Sequence, residues 1–175
     1  IWVGCYGSQK FYYIDGATGK ILKTVDVSPW GHHAYGAVID KNGVLWSSSI
    51  GDNHVLRFDP STDPPTISTV NLGHNTYGIG LDYGNHLFVA GWQHNRLAKI
   101  DITTGTIIWS KSKPELLQAR GVACTEDNDV WVVSTANDRV YRYDNDGNLK
   151  ASIYVGSGPT GVAVDAAGKV WVCNY

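Results

Sequence analysis

The 175-residue sequence lacks the features that mark several large functional classes. No apolar run approaches the roughly 18 residues needed to span a bilayer. Lys and Arg number 14 against 16 Asp and Glu, so the basic excess typical of proteins that bind nucleic acids is absent. We therefore expect no membrane span and no nucleic-acid partner.

Cysteine is also scarce. Cys5, Cys124 and Cys173 are an odd number of thiols, which excludes complete internal pairing. We expect them to be buried and unpaired, packing as small hydrophobic groups. No CxxC or Cys/His spacing predicts a zinc site, and the motifs of P-loop proteins, α/β-hydrolases and zinc peptidases are missing. No single short motif therefore indicates a chemistry.

What the sequence does contain is a block that occurs four times, with lead glycines 42, 43 and 40 residues apart. Each block has a Gly-led apolar segment, a polar turn and an apolar run centred on an aromatic residue. One four-stranded propeller blade takes roughly 40 to 50 residues. The period therefore predicts an all-β fold, a β-propeller of four-stranded antiparallel blades. The lead glycines are Gly36, Gly78, Gly121 and Gly161, and the aromatic residues are Trp46, Phe88, Trp131 and Trp171.

Alternating apolar and polar residues divide each block into four strands, named A to D from the inside outward. Strand A carries the lead glycine, which lets neighbouring backbones approach closely near the axis. Strand B carries the aromatic residue, which we expect to be buried between blades. Turns such as Thr104-Gly105 separate strand C from strand D. The predicted C strands are 10–15, 54–59, 96–101 and 139–144, and the D strands are 21–27, 66–72, 106–111 and 149–155.

Helix should be nearly absent, because no stretch has a convincing apolar period of 3.6 residues. The one candidate is the segment 113–118, in which Pro114 could open a single turn. Outside it we expect strands, turns and loops.

The repeats fall at approximately 1–40, 41–82, 83–125 and 126–165, followed by a surplus strand at 169–175, and together form one domain. Both ends of the chain have the pattern of a B strand. An open arc of blades would leave long unpaired sheet edges, which folded proteins avoid. We therefore expect these residues to be part of a ring of six to eight blades, completed by further blades or by another copy of the chain.

A family resemblance rests on residues 158–172, GPTGVAVDAAGKVWV. This segment resembles the blade signature of NHL-type propellers and of the streptogramin (virginiamycin B) lyase family. Looser copies at 35–46, 77–88 and 120–131 extend the resemblance over the whole chain. The resemblance implies propeller architecture more specifically than chemistry, because that superfold hosts lyases, lactonases, peptide binders and scaffolds.

Two outer hairpins resemble other propeller families. Residues 13–21 are similar to the surface-layer YVTN repeat, and residues 101–109 are similar to the tryptophan-docking motif of quinoprotein propellers. Only one of the four D strands has a tryptophan at that place, Trp109. Packing between blades therefore explains this residue better than a quinone cofactor does.

The loops that enter the A strands and leave the B strands should converge at one mouth of the propeller. Such a mouth could bind an anionic or sugar-like ligand, with Arg120 as the charge partner and aromatic side chains as stacking faces. Alternatively, the repeated His and Tyr residues fill the channel wall, and Asn53, Asn95 and Asn137, 42 residues apart, cap turns. The candidate ligand-binding residues are His32, His33, Tyr35, His74, Tyr77, Trp92 and Arg120.

The streptogramin lyase resemblance implies a histidine base beside a divalent metal, Mg²⁺, because removing a carbon-bound proton requires both a base and an electrophile. His33 and His74 are the candidate bases. The glutamates, Glu115 and Glu126, do not lie two residues from a histidine. Asp52, on the loop between a B and a C strand, is the acidic candidate for a metal ligand nearest to the predicted mouth.

These observations favour a propeller that acts as a binding or scaffolding module and holds a small molecule, a protein or a peptide at its central mouth. A metal-dependent C–O lyase of the streptogramin type is the alternative. A structural repeat of an extracellular assembly is a third reading, which follows from the surface-layer resemblance. No cofactor is expected outside the lyase reading, and the compartment stays open, with an extracellular or periplasmic one favoured.

Overall fold

The computed structural model describes residues 1–175, which form 17 β-strands and two single 3₁₀ turns. The strands are β1 Trp2–Cys5, β2 Lys10–Ile14, β3 Ile21–Asp26, β4 Ala37–Ile39, β5 Leu45–Ser47, β6 His54–Asp59, β7 Thr66–Asn71, β8 Ile79–Leu81, β9 His86–Gly91, β10 Arg96–Asp101, β11 Ile107–Ser112, β12 Ala119–Cys124, β13 Val130–Ser134, β14 Arg139–Tyr143, β15 Leu149–Tyr154, β16 Pro159–Val164 and β17 Val170–Asn174. The predicted C and D strands agree with these bounds within one residue.

The strands form five antiparallel sheets, which are the blades of a propeller. Blade I is β1-β2-β3, blade II is β4-β5-β6-β7, blade III is β8-β9-β10-β11, blade IV is β12-β13-β14-β15 and blade V is β16-β17. Each complete blade has the predicted order A-B-C-D, and the prediction of an all-β propeller is confirmed. The A strand of one sequence repeat pairs with the B strand of the next, as Val38 does with Trp46. Each blade therefore combines residues from two adjacent repeats.

Apolar side chains between neighbouring blades form the core. Phe11 of blade I packs with Leu45 and Phe58 of blade II. Two similar clusters fill the spaces between blades II and III and between blades III and IV. Each fully buried side chain of this size contributes about 1.5 to 3 kcal/mol by transfer estimates. The stack of sheets therefore holds the loops at its two ends in a defined relative position.

The lead glycines lie at the close approach of the inner strands, as predicted. Gly121 is within β12 and Gly161 within β16, whereas Gly36 and Gly78 immediately precede β4 and β8. A Cβ atom at Gly78 would lie 1.6 Å from the carbonyl oxygen of Arg120. Only a residue without a side chain fits between these two backbones.

The aromatic residue of strand B packs against the blade that follows it. Trp46 and Phe88 are fully buried, and Trp131 is half-buried. Trp171 is 62% exposed, so the expectation that all four are buried was wrong for this residue. The reason is that no sheet packs on its face of blade V.

Trp109 packs between blades, as the sequence suggested. Its ring contacts Phe88 edge to face at 5.9 Å. A Cβ atom at Gly147, in the outer turn of blade IV, would lie 3.0 Å from the indole of Trp109. Gly147 has φ 79°, the left-handed value that the predicted tight turn requires.

Other expectations were wrong. The two 3₁₀ turns are at Ser28–Trp30, which Pro29 opens, and at Thr135–Asn137, and neither is in the segment 113–118. Cys124 is buried, but Cys5 and Cys173 are exposed on blades I and V, because no sheet packs on those faces.

None of the helical segments has the length and apolar character to cross a bilayer.

Candidate functional site

Four of the predicted ligand-binding side chains form a continuous row along the inner ends of blades II to IV. The hydroxyls of Tyr35 and Tyr77 share a hydrogen bond of 2.8 Å. The Tyr77 ring stacks on Trp92 at a centroid distance of 4.9 Å. The guanidinium of Arg120 lies over the Trp92 ring, with Cζ 4.5 Å from the ring centroid. We call Tyr35, Tyr77, Trp92 and Arg120 the mouth row.

The repeat explains why the row forms. Tyr35, Tyr77 and Arg120 each stand directly before a lead glycine, so each enters an A strand at the same level of its blade. The contacts between neighbouring A strands then bring the three side chains side by side. Trp92 comes from the loop between β9 and β10 and inserts between Tyr77 and Arg120.

Arg120 has an uncompensated charge. Its guanidinium lies between Trp92 and Tyr175, whose ring centroid is 5.2 Å from Cζ. Nη1 donates a long hydrogen bond of 3.5 Å to Thr160 Oγ1, and the buried Nε has no acceptor. Arg120 takes part in none of the ion pairs of the molecule. A buried guanidinium donor without an acceptor favours an anion or a carbonyl oxygen as a partner.

A cleft of about 340 Å³ lies beside the mouth row. Tyr35, Tyr77, Arg120 and Thr160 line it together with the backbone of the lead glycines. Burial, together with the hydrogen bond to Tyr35, raises the pKa of Tyr77 to about 12. At neutral pH its phenol is therefore a neutral hydrogen-bonding group and not a base.

A second polar group lies at the same end of the molecule, between blades I and II. His33 Nδ1 and its backbone N both approach Asp52 Oδ2, at 3.2 and 3.1 Å. Ser49 Oγ donates to the same oxygen at 2.5 Å. Partial burial opposes ionisation of Asp52, but the hydrogen bonds from Ser49 and His33 outweigh it and hold the pKa of Asp52 below its usual value. Gln9 Nε2 lies 3.4 Å from the other ring nitrogen of His33.

His32 points into the protein behind this pair. Its Nδ1 lies 3.3 Å from Nε2 of His54, and its Nε2 lies 2.9 Å from Ser47 Oγ. Burial, and then the neighbouring His54, lowers the pKa of His32 to about 4. Burial also lowers the pKa of His54. Both imidazoles are therefore neutral at pH 7.

Three consecutive serines connect the two groups. Ser47, Ser48 and Ser49 are all fully buried at the end of β5. Ser47 contacts His32, Ser49 contacts Asp52, and Ser48 Oγ donates to the Tyr77 carbonyl at 2.5 Å. The corresponding residues of blade III are Val89, Ala90 and Gly91.

The sequence candidates thus divide into three sets. Tyr35, Tyr77, Trp92 and Arg120 come together in the mouth row, and His33 lies beside Asp52 with a side chain that is 38% exposed. His32 and His74 are buried, so neither imidazole is exposed at the mouth. His74 Nδ1 contacts the Asn75 carbonyl at 3.0 Å, and its Nε2 has no partner.

The sequence analysis did not predict that His54 and the serines Ser47–Ser49 belong to these groups. Two signals could have identified them: His54 stands where blades III and IV have Arg96 and Arg139, and Ser47–Ser49 is a polar run in an otherwise apolar strand position. It also misplaced Asn137: the residue equivalent to Asn95 in the strand register is Asp138, and both have positive φ.

The donors present do not suit the Mg²⁺ that the lyase resemblance implies. His32, Asp52 and His54 place two nitrogens and one carboxylate within 4.8 Å of one another. Mg²⁺ prefers an octahedron of oxygen ligands. This donor set therefore does not fit Mg²⁺.

Comparisons with known proteins give similarity only at the level of the fold. No protein-family model and no curated protein matches the sequence. A streptogramin B lyase structure superposes with a TM-score of 0.85 at 18% identity, covering 98% of this chain and 57% of the lyase. The virginiamycin B lyase of Staphylococcus aureus gives 0.83 at 20% identity, with 98% and 58% covered. A Bacteroides caccae protein of unknown function gives 0.73 at 16% identity, with 98% and 63% covered.

The chain thus spans somewhat more than half the length of the lyases it resembles. At these identities the likeness concerns architecture and not activity. The five blades, their strand order and this superposition lead to one conclusion: the chain has the β-propeller fold of the streptogramin B lyases.

Proposed function

We propose that this chain is a ligand-binding module whose mouth row holds a small anionic molecule with a planar or sugar-like body. The observation that carries the proposal is the guanidinium of Arg120, which lies between Trp92 and Tyr175 with no carboxylate partner. An anion would accept hydrogen bonds from this guanidinium, and a ring would stack on the exposed part of Tyr35. The adjacent cleft of about 340 Å³ is within the size range of small-molecule pockets.

Trp92 provides the measurement, because its fluorescence should respond to any ligand that contacts Arg120. We would titrate benzoate, glucuronate and inorganic phosphate into the wild-type protein. Arg120→Gln should lose the response to all three anions, because the charged donor is gone. Arg139→Gln, which removes a half-buried arginine that contacts Ser152 on blade IV, is the matched control and should bind as the wild type does.

The binding proposal fails if none of the three probes changes the fluorescence, or if Arg120→Gln and Arg139→Gln respond equally. Circular dichroism spectra and thermal midpoints of both variants would show that each is folded. A response to benzoate and glucuronate that exceeds the response to phosphate would assign the aromatic members of the row to stacking on the ligand body.

A second candidate function is a streptogramin lyase-like reaction. The pair His33 and Asp52 supports it, because Asp52 Oδ2 faces Nδ1 of His33 and leaves Nε2 as the nitrogen that could accept a proton. One solved neighbour is a catalytically inactive virginiamycin B lyase with quinupristin, at 21% identity and a TM-score of 0.83.

Quinupristin incubated with the protein, with and without added Mg²⁺, gives a direct test by mass spectrometry. The lyase candidate predicts a ring-opened product of unchanged mass and altered chromatographic retention, and loss of that product in His33→Ala. His94→Ala, at an exposed histidine of the next blade, is the control. Unchanged quinupristin under all conditions would remove this candidate for that substrate.

A further inference from the structure

Three side chains of the types that bind metal ions lie together at the end of blade II where the chain enters β4, outside the mouth row. His32 comes from the loop before β4, Asp52 from the loop after β5 and His54 from the start of β6. One ligand atom of each lies within 4.8 Å of the others. His32 Nδ1 and His54 Nε2 are 3.3 Å apart. Two ligands at 2.0 to 2.1 Å from a tetrahedral ion lie about 3.3 Å apart, so this separation is that of two ligands of one ion.

We propose that His32 Nδ1, His54 Nε2 and a carboxylate oxygen of Asp52 bind one divalent transition-metal ion of the Zn²⁺ class. Two imidazoles and one carboxylate suit Zn²⁺, Co²⁺ or Ni²⁺ and not the hard cations Mg²⁺ and Ca²⁺. Three protein ligands leave the fourth tetrahedral position for water or for a ligand. The site does not depend on the anion-binding function proposed for the mouth row.

The hydrogen bonds of Ser47 orient His32 for this role. Ser47 Oγ donates to the Ser48 carbonyl at 3.1 Å, so it accepts a hydrogen bond from His32 Nε2–H at 2.9 Å. That assignment leaves the lone pair of His32 Nδ1 directed at His54. Metal-binding histidines in proteins are held in this way by a hydrogen bond to the second ring nitrogen.

The carboxylate is held in a similar way. Asp52 Oδ2 accepts hydrogen bonds from His33 N and Ser49 Oγ and lies near His33 Nδ1, whereas Oδ1 has no protein partner. The backbone of Asp52 also accepts a hydrogen bond from Thr76 N at 3.0 Å. One oxygen is therefore engaged in positioning, and the other is free for a ligand bond.

Comparison with the other blades shows that the blade fold does not require this cluster. In the strand register, His54 is level with Arg96 and Arg139. Ser47 is likewise level with Val89 and Val132. A requirement of the blade itself would recur in blades III and IV. His32 has a buried equivalent in blade III, His74, but Ser47, Asp52 and His54 occur together only in blade II, which indicates a local role.

The experiment uses tag-free protein stripped with a chelator and titrated with ZnCl₂ by isothermal calorimetry. We expect one zinc ion per chain for the wild type, and no comparable heat with MgCl₂. His54→Arg introduces the residue of blades III and IV, and His54→Gln keeps a neutral side chain. Each should weaken zinc binding by more than about 100-fold. His94→Gln, at an exposed histidine that is level with Asp52 in blade III, should bind zinc as the wild type does.

Two further measurements keep the outcome decisive if a variant is poorly folded. Co²⁺ bound to wild-type protein should give the visible absorption of a four-coordinate ion, and one equivalent of Zn²⁺ should abolish it. In ¹⁵N-labelled protein, zinc should shift the imidazole nitrogens of His32 and His54. No zinc binding, unchanged binding in both His54 variants, or shifts confined to other histidines would each overturn the proposal.

Discussion

The hydroxyl oxygens of Tyr35 and Tyr77 lie 2.8 Å apart although the residues are separated by 42 positions, the length of one repeat. Equivalent residues of blades II and III thus meet at the inner end of the propeller. Trp92 and Arg120 continue the row by stacking. Residues that the repeat places at one level therefore form one continuous surface.

The contact between Arg120 and Trp92 should be measurable as a coupling energy. In a double-mutant cycle of Arg120→Gln and Trp92→Leu, we expect a favourable coupling of about 0.5 to 2 kcal/mol in the free energy of unfolding, because a partly buried cation lies over the indole face. Urea denaturation of the four proteins measures it. Additive effects of the two substitutions would show that the stacking contributes nothing to stability.

A buried Trp–Asp hydrogen bond in blade II has an exposed equivalent in blade V. Asp40 accepts from Trp46 Nε1 at 3.0 Å and Asp165 from Trp171 Nε1 at 2.9 Å. Asp40→Ala should lower the free energy of unfolding by about 2 kcal/mol, because buried donors lose a charged acceptor. Asp165→Ala should cost less than about 1 kcal/mol, because water replaces the acceptor. Equal costs in chemical denaturation would contradict the role assigned to burial.

Gly78 is the position where the inner backbones approach most closely. Gly78→Ala should destabilise the protein by about 3 kcal/mol or more, because its Cβ would lie 1.6 Å from the Arg120 carbonyl oxygen. Gly7→Ala is the matched control, because a Cβ there meets nothing within 4 Å. The thermal midpoint of each variant tests the prediction. A Gly78→Ala protein as stable as the control would mean that the inner strands are further apart than described.

The phenol of Tyr77 should lose its proton at a higher pH than an ordinary tyrosine. Its pKa in the folded protein is about 12, above the ordinary value of 10.0. Between these values the unfolded chain loses this proton and the folded protein retains it, so the free energy of unfolding falls as the pH rises. Phenolate absorbance of wild type minus Tyr77→Phe should therefore appear mainly above pH 11 or so. A difference titration centred near pH 10 would contradict the burial of this hydroxyl.

Much of the fold could be predicted because the hydrogen bonds within each blade follow local patterns. Two-residue alternation, Gly-containing turns and the repeat length indicate strands, their order and the inner position of the lead glycines. The strand register also predicts that Tyr35, Tyr77 and Arg120 lie at one level. Trp171 shows the limit of this reasoning, because its burial depends on whether a further sheet packs on it.

The candidate metal cluster depends on the tertiary structure. His32, Asp52 and His54 come from three loop or strand ends, and the entrance loops of the blades differ in length and path, so no spacing in the sequence places them together. Repeated local interactions determine the blades, and these could be predicted from residue order. Which side chains meet at this end of blade II was decided only by the three-dimensional path of its loops, because that path brings together residues whose local hydrogen bonds are unrelated.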